Sequence, residues 1–68
     1  MGERLVNRLR ELRAERDLTQ AALAERVSVS RKTINTVENG VFVPSTALAL
    51  KLARALGCAV EDIFTLAD

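Results

Sequence analysis

Apolar side chains at Leu5, Leu9 and Leu12 fall at i, i+4 and i+7, one stripe of a helix whose other faces carry Arg8, Arg10, Glu11 and Glu15. The pattern predicts a first helix ending near Arg16, with Asp17 and Leu18 connecting it to the next element. Thr19 offers a hydroxyl suited to capping a second helix over Gln20 to Val27, with Leu23, Ala24 and Val27 inward. Ser28-Val29-Ser30 breaks the periodicity, and Ser30 can cap a third helix from Arg31 to about Asn39 whose inward residues are Ile34 and Val37. Gly40 stops that helix as its left-handed terminal residue. The apolar stretch Val41-Phe42-Val43 leads to Pro44 and to Ser45, which caps a fourth helix closed by Gly57. Leu48, Leu52, Ala53 and Leu56 share one face of it. Val60, Ile63, Phe64 and Leu66 are too few for another long helix and predict one helical turn near Val60 to Ile63, then an extended end.

With 68 residues the chain is expected to form a single domain over 1–68, of a size at which folding buries only about 60% of the unfolded surface. It contains one cysteine and no histidine, so neither a disulfide nor a zinc site is available as a staple, and a protein partner is the expected supplement. Leu50 lies off the Leu48, Leu52, Leu56 stripe, and the tail residues cannot all face one small core. A dimerisation segment over about 48–68 is therefore expected, with Leu50, Val60, Ile63, Phe64 and Leu66 as its interface. The chain shows no internal repeat, no export signal and no apolar run long enough to span a bilayer, so a cytoplasmic protein without membrane contact is expected. Cys58 reads as a small buried apolar residue.

Charge changes the picture once it is divided. The formal net charge is +1, but residues 1 to 58 hold all ten Lys and Arg against six acids, giving +4, while Glu61, Asp62 and Asp68 give the tail −3. A polyanionic partner would therefore meet the N-terminal part. Two short helices joined by a tight turn, the second polar opposite its core contacts, form the pattern of a DNA-reading helix pair, here over 19–39. With Ile34 and Val37 turned inward, Arg31, Lys32, Asn35 and, at the edge, Thr36 face outward. Arg and Lys suit guanine O6 and N7, Asn suits adenine N6 and N7, and a Thr methyl suits the thymine methyl.

These residues resemble the Cro and phage-repressor-like helix-turn-helix group, also called the xenobiotic response element family. The likeness runs through Leu18-Thr19-Gln20-Ala21-Ala22-Leu23-Ala24, Val29-Ser30-Arg31-Lys32-Thr33-Ile34, Val37-Glu38-Asn39-Gly40, Pro44-Ser45 and Ala53-Arg54-Ala55-Leu56-Gly57, and covers about residues 8 to 64. Within the group the chain is most similar to short dimeric repressors of the cytolysin-repressor kind. The resemblance implies an all-α, compact four- to five-helix lambda-repressor-like DNA-binding domain, with a small two-stranded β-ribbon that Leu5-Val6 and Phe64-Thr65-Leu66 would supply. It implies base reading by Arg31, Lys32, Asn35 and Thr36, and phosphate contact by Gln20, which also braces the reading helix, and by Ser30 and Asn39, although Ser30 and Asn39 also serve as plain caps. It further implies a partly buried structural ion pair between Arg13 and Glu38. The family often has glycine where this chain has Ser28, so a left-handed residue there would carry strain.

The function implied is a sequence-specific, double-stranded DNA-binding transcriptional regulator, a homodimeric repressor on an operator. The alternatives are the antitoxin of a toxin-antitoxin pair, or a protein-interaction module on the same scaffold with a partner protein. An enzyme is not expected: there is no histidine, no Ser or Cys beside a suitable base and no phosphate-cradling glycine loop, nor does the sequence call for a cofactor or metal.

Overall fold

A computed structural model of the chain describes residues 4–67. The elements are β1 (Arg4–Asn7), α1 (Leu9–Glu15), α2 (Gln20–Arg26), α3 (Arg31–Glu38), α4 (Thr46–Leu56), α5 (Val60–Ile63) and β2 (Phe64–Ala67). The starts of α2, α3 and α4 are set by hydroxyl caps: Thr19 Oγ1 accepts from the Ala22 N–H, Ser30 Oγ from Thr33 and Ser45 Oγ from Leu48.

The four longer helices all stop in the same way. Asp17, Ser28, Gly40 and Gly57 adopt φ of 55°, 60°, 74° and 69°. In each case that residue and its successor donate back into the helix. Val29 bonds the Ala24 carbonyl while Ser28 bonds that of Glu25, and Val41 bonds Thr36 while Gly40 bonds Val37. This is the Schellman arrangement, and it turns the chain sharply while satisfying carbonyls the helix leaves open. The residue after each left-handed position is apolar; Leu18, Val29 and Cys58 thereby pack against the core.

That core gathers Leu9 and Leu12 of α1, Leu23 and Ala24 of α2 with Val27, Ile34 and Val37 of α3, Leu48, Leu52, Ala53 and Leu56 of α4, and Ile63 and Phe64. Arg16 reaches from the end of α1 to the Leu56 carbonyl, a cation placed where the open carbonyls of α4 carry partial negative charge.

Leu5 does not lie on the first helical stripe. Its spacing to Leu9 and Leu12 fits a helix, but Asn7 intervenes: Asn7 Oδ1 accepts the Leu9 N–H at 3.1 Å and so starts α1 two residues later. The chain before it pairs antiparallel with β2 in the register Arg4↔Ala67, Leu5↔Leu66, Val6↔Thr65 and Asn7↔Phe64. This is the two-stranded ribbon implied by the family resemblance.

The ribbon also revises the expected tail surface. Pairing with β1, and a bond from the Arg8 N–H to the Ile63 carbonyl at 2.8 Å, fold α5 and β2 back onto the helices. Ile63 is 1% exposed and Phe64 9%, so Ile63 has no surface for a partner and Phe64 keeps only a narrow strip. Leu50 and Leu66 remain 56% and 65% exposed. An open apolar groove lies between the ribbon and α4, lined by Leu5, Val43, Pro44, Ala49, Leu50, Val60 and Phe64 among others. Among the described residues no helix is long and apolar enough to cross a membrane.

Candidate nucleic-acid interface

Helices α2 and α3 are held against each other through Leu23, Ala24, Val27, Ile34 and Val37, all buried. With that face fixed, α3 presents Arg31, Lys32 and Asn35 to solvent. The three line one shallow depression together with Gln20 from the start of α2. Thr36 is half-buried, and its hydroxyl donates to the Thr33 carbonyl at 2.9 Å, which leaves the methyl and the oxygen's acceptor lone pairs as its available groups. Ser30 accepts the Thr33 N–H at 3.1 Å and also meets the Thr33 hydroxyl at 3.0 Å.

Behind the depression sits a charged anchor. The Glu38 side chain has no exposed surface, and Arg13, 16% exposed, donates to it from Nε at 2.6 Å and from Nη2 at 3.3 Å. Arg13 Nη1 also reaches the Leu18 carbonyl at 2.7 Å, so one guanidinium fixes α1, the α1–α2 connection and α3 together. Arg10 adds a bond to Glu38 at 3.4 Å, and Gln20 Nε2 adds one at 3.0 Å. Burial by itself would raise the Glu38 pKa. Hydrogen bonds from Arg13 and Gln20, the Arg13 charge and the Arg10 bond together outweigh it and hold the carboxyl below its ordinary value of 4.5.

The anchor continues outward as an amide network. Gln20 Nε2 donates its second hydrogen to Asn35 Oδ1 at 3.2 Å, Asn39 Nδ2 donates to the same oxygen at 3.3 Å, and Arg10 Nη2 donates to Asn39 Oδ1 at 2.8 Å. Both N–H groups of Gln20 are thus engaged inside the protein, whereas Asn39 keeps one. The expected brace from Gln20 to the reading helix is present, through Glu38 and Asn35, but its continuation to Asn39 was not legible in the sequence, because these amides touch only once the helices pack. Asn7 was missed altogether. Its Nδ2 donates to the Val37 carbonyl at 3.0 Å and ties the ribbon to the C-terminal end of α3, and a lone Asn before a helical stripe gives no sign of that second bond.

Two capped helices joined by a tight Schellman turn, the second braced from behind and presenting Arg, Lys and Asn, define a helix-turn-helix DNA-binding domain. Comparison with known proteins agrees. The sequence model of the helix-turn-helix family matches residues 9–63, and the chain belongs to that family. It is 54% identical over 59 residues to an uncharacterized HTH-type transcriptional regulator of Methanothermobacter thermautotrophicus, covering 85% of this chain and 86% of the relative. It is 38% identical to the immunity repressor protein of Bacillus phage phi105, over 82% of this chain and 39% of that longer protein. Among solved structures, the restriction-modification controller protein C.AhdI of Aeromonas hydrophila superposes with a TM-score of 0.77 at 38% identity, covering 81% of this chain and 83% of that one. The chain is accordingly a DNA-binding transcriptional regulator with a lambda-repressor-like fold, not an enzyme.

Proposed function

We propose that the protein is a homodimeric repressor that reads an operator in the major groove with α3. The observation that carries this reading is the depression formed by Gln20, Arg31, Lys32 and Asn35, exposed on the side of α3 opposite Ile34 and Val37. Arg31, Lys32, Asn35 and the Thr36 methyl read base edges, while Ser30, Asn39 and Gln20 contact phosphates and set the register. For Gln20 the phosphate contact falls to its backbone N–H at the start of α2, since both side-chain N–H groups are engaged within the protein.

The dimer forms over the apolar groove between the ribbon and α4. Leu50, lining the groove, and Leu66, on the ribbon beside it, are its exposed anchors, and Val60 and Phe64 add to its lining. Leu66 stands opposite Leu5 in the ribbon, so the exposed leucines of strand and helix form one surface. No residue of that groove lines the polar depression on α3, and a two-fold axis through it leaves both reading helices free for two half-sites. Selection of bound duplexes from a random pool tests the proposal. It should return two inverted half-sites about 10 base pairs apart, centre to centre. A pool without enrichment, or a single unpaired half-site, would refute it. The exposed Val41 and Phe42 favour one rival, an antitoxin that seats a second small protein there, which co-purification from the native host would reveal.

A further inference from the structure

Which atom Asn35 turns toward its target is fixed by charges two contacts away. A carboxylate only accepts hydrogen bonds, so the Gln20 group 3.0 Å from Glu38 Oε1 must be its amide nitrogen. That same nitrogen faces Asn35. A guanidinium only donates, so the Asn39 group 2.8 Å from Arg10 Nη2 must be its carbonyl oxygen, and its nitrogen is then the group facing Asn35. Two donors therefore converge on Asn35, at 3.2 Å and 3.3 Å, and only its oxygen can meet both. Both lone pairs of that oxygen are engaged, while the Asn35 nitrogen makes no bond within the chain among the described residues. On an exposed side chain of α3 that nitrogen is the group available to DNA.

We infer that Asn35 reads its base pair as a hydrogen-bond donor only, bonding the keto member, guanine through O6 and N7 or thymine through O4, and accepting nothing from the amino group of adenine or cytosine. The bidentate adenine contact natural to asparagine needs its oxygen to accept from N6, and here that oxygen is occupied. Gln20 and Asn39 are positioning residues in this scheme, and Glu38 and Arg10 set their polarity. The inference rests on α3 being the reading helix and adds the identity of the base class.

The test is selection from a random duplex pool with the wild type, Asn35→Ala and Asn35→Asp, fold being checked by circular dichroism. Asn35→Ala relaxes one position per half-site and so locates it. Every base pair holds one keto and one amino base, so the pair is then rebuilt with analogues lacking one group. Removing the keto oxygen (2-aminopurine for guanine, 5-methyl-2-pyrimidinone for thymine) should weaken wild-type binding by about tenfold or more and barely move Asn35→Ala. Removing the amino group (purine for adenine, 2-pyrimidinone for cytosine) should cost both proteins equally. Asn35→Asp keeps an oxygen for Gln20 and Asn39 but turns an acceptor outward, so its binding should depend on the amino group of the pair by about tenfold or more and no longer on the keto oxygen. If the substituted carboxylate does not fold, the wild type and Asn35→Ala decide the matter alone. The double variant Gln20→Ala/Asn39→Ala frees the amide oxygen and should add a dependence on the amino group at the same pair, a change that loss of mere structural support would not produce. A wild type whose Asn35-dependent binding follows the amino group, or an Asn35→Asp protein with the wild-type dependence on the keto oxygen, overturns this inference while leaving the repressor reading intact. Failure of the wild type to enrich any sequence overturns both.

Discussion

Replacing Glu38 by glutamine removes one charge and almost no volume, and the structure sets what that should cost. The carboxylate is fully buried and accepts from Arg13 twice, from Gln20 and from Arg10. Glu38→Gln leaves the largely buried Arg13 without its counter-charge and turns an amide N–H toward at least one donor. Breaking a buried pair from one side costs about 3–5 kcal/mol. Arg13 retains its bond to the Leu18 carbonyl and some solvent contact, which places the expected loss at the lower end, about 3 kcal/mol. For a domain of this size roughly 4–8 °C of Tm accompanies each kcal/mol, so Tm should fall by about 12–24 °C at neutral pH. Folding lowers the Glu38 pKa, so the stability it contributes is fully present above the ordinary value of 4.5 and is lost as pH falls through the depressed folded value. The gap between wild type and variant should therefore narrow below pH 4.5. Thermal melts at one fixed protein concentration, at neutral and acid pH, measure both effects. A variant that melts within a few degrees of wild type at neutral pH, or a gap that widens on acidification, would refute the argument.

Other substitutions probe separate parts of the account. Ser28→Gly relieves a left-handed serine at φ 60° and should stabilise the protein by about 0.5–1 kcal/mol, seen as a higher urea midpoint with unchanged slope. Asn7→Ala removes both the bond that starts α1 and the bond to the Val37 carbonyl, and should cost about 1–2 kcal/mol in the same assay. Leu50→Asp replaces a side chain exposed in the single chain, so helicity should persist while sedimentation at micromolar concentration shows a monomer in place of a dimer.

The helices were legible in the sequence because their ends carry local chemistry. Thr19, Ser30 and Ser45 announce three starts, and Gly40 and Gly57 announce two stops. Ser28 could be placed in the left-handed region only through the family's glycine, and Asp17, equally left-handed, gave no signal because aspartate fits many other turns. Leu5 misled because three leucines at helical spacing cannot reveal that a strand partner lies at the other end of the chain. The same non-local pairing draws Ile63 and Phe64 into the core that an apolar tail alone would leave at a surface. Within the site, each outward residue of α3 follows from periodicity. The polarity of the Gln20, Asn35 and Asn39 amides does not, since it is inherited through space from Glu38 and Arg10.

The reading-helix assignment is tested most directly by fluorescence anisotropy on two labelled duplexes, the selected site and a scrambled one, at one stated salt concentration. The wild type should prefer the selected duplex by about a thousandfold or more. Arg31 is exposed, so Arg31→Ala should keep the wild-type Tm. It should weaken binding to the selected duplex by about 1–3 kcal/mol, with a much smaller change on the scrambled one. An Arg31→Ala protein that binds the selected duplex as tightly as the wild type would contradict the assignment of α3 as the helix that reads DNA.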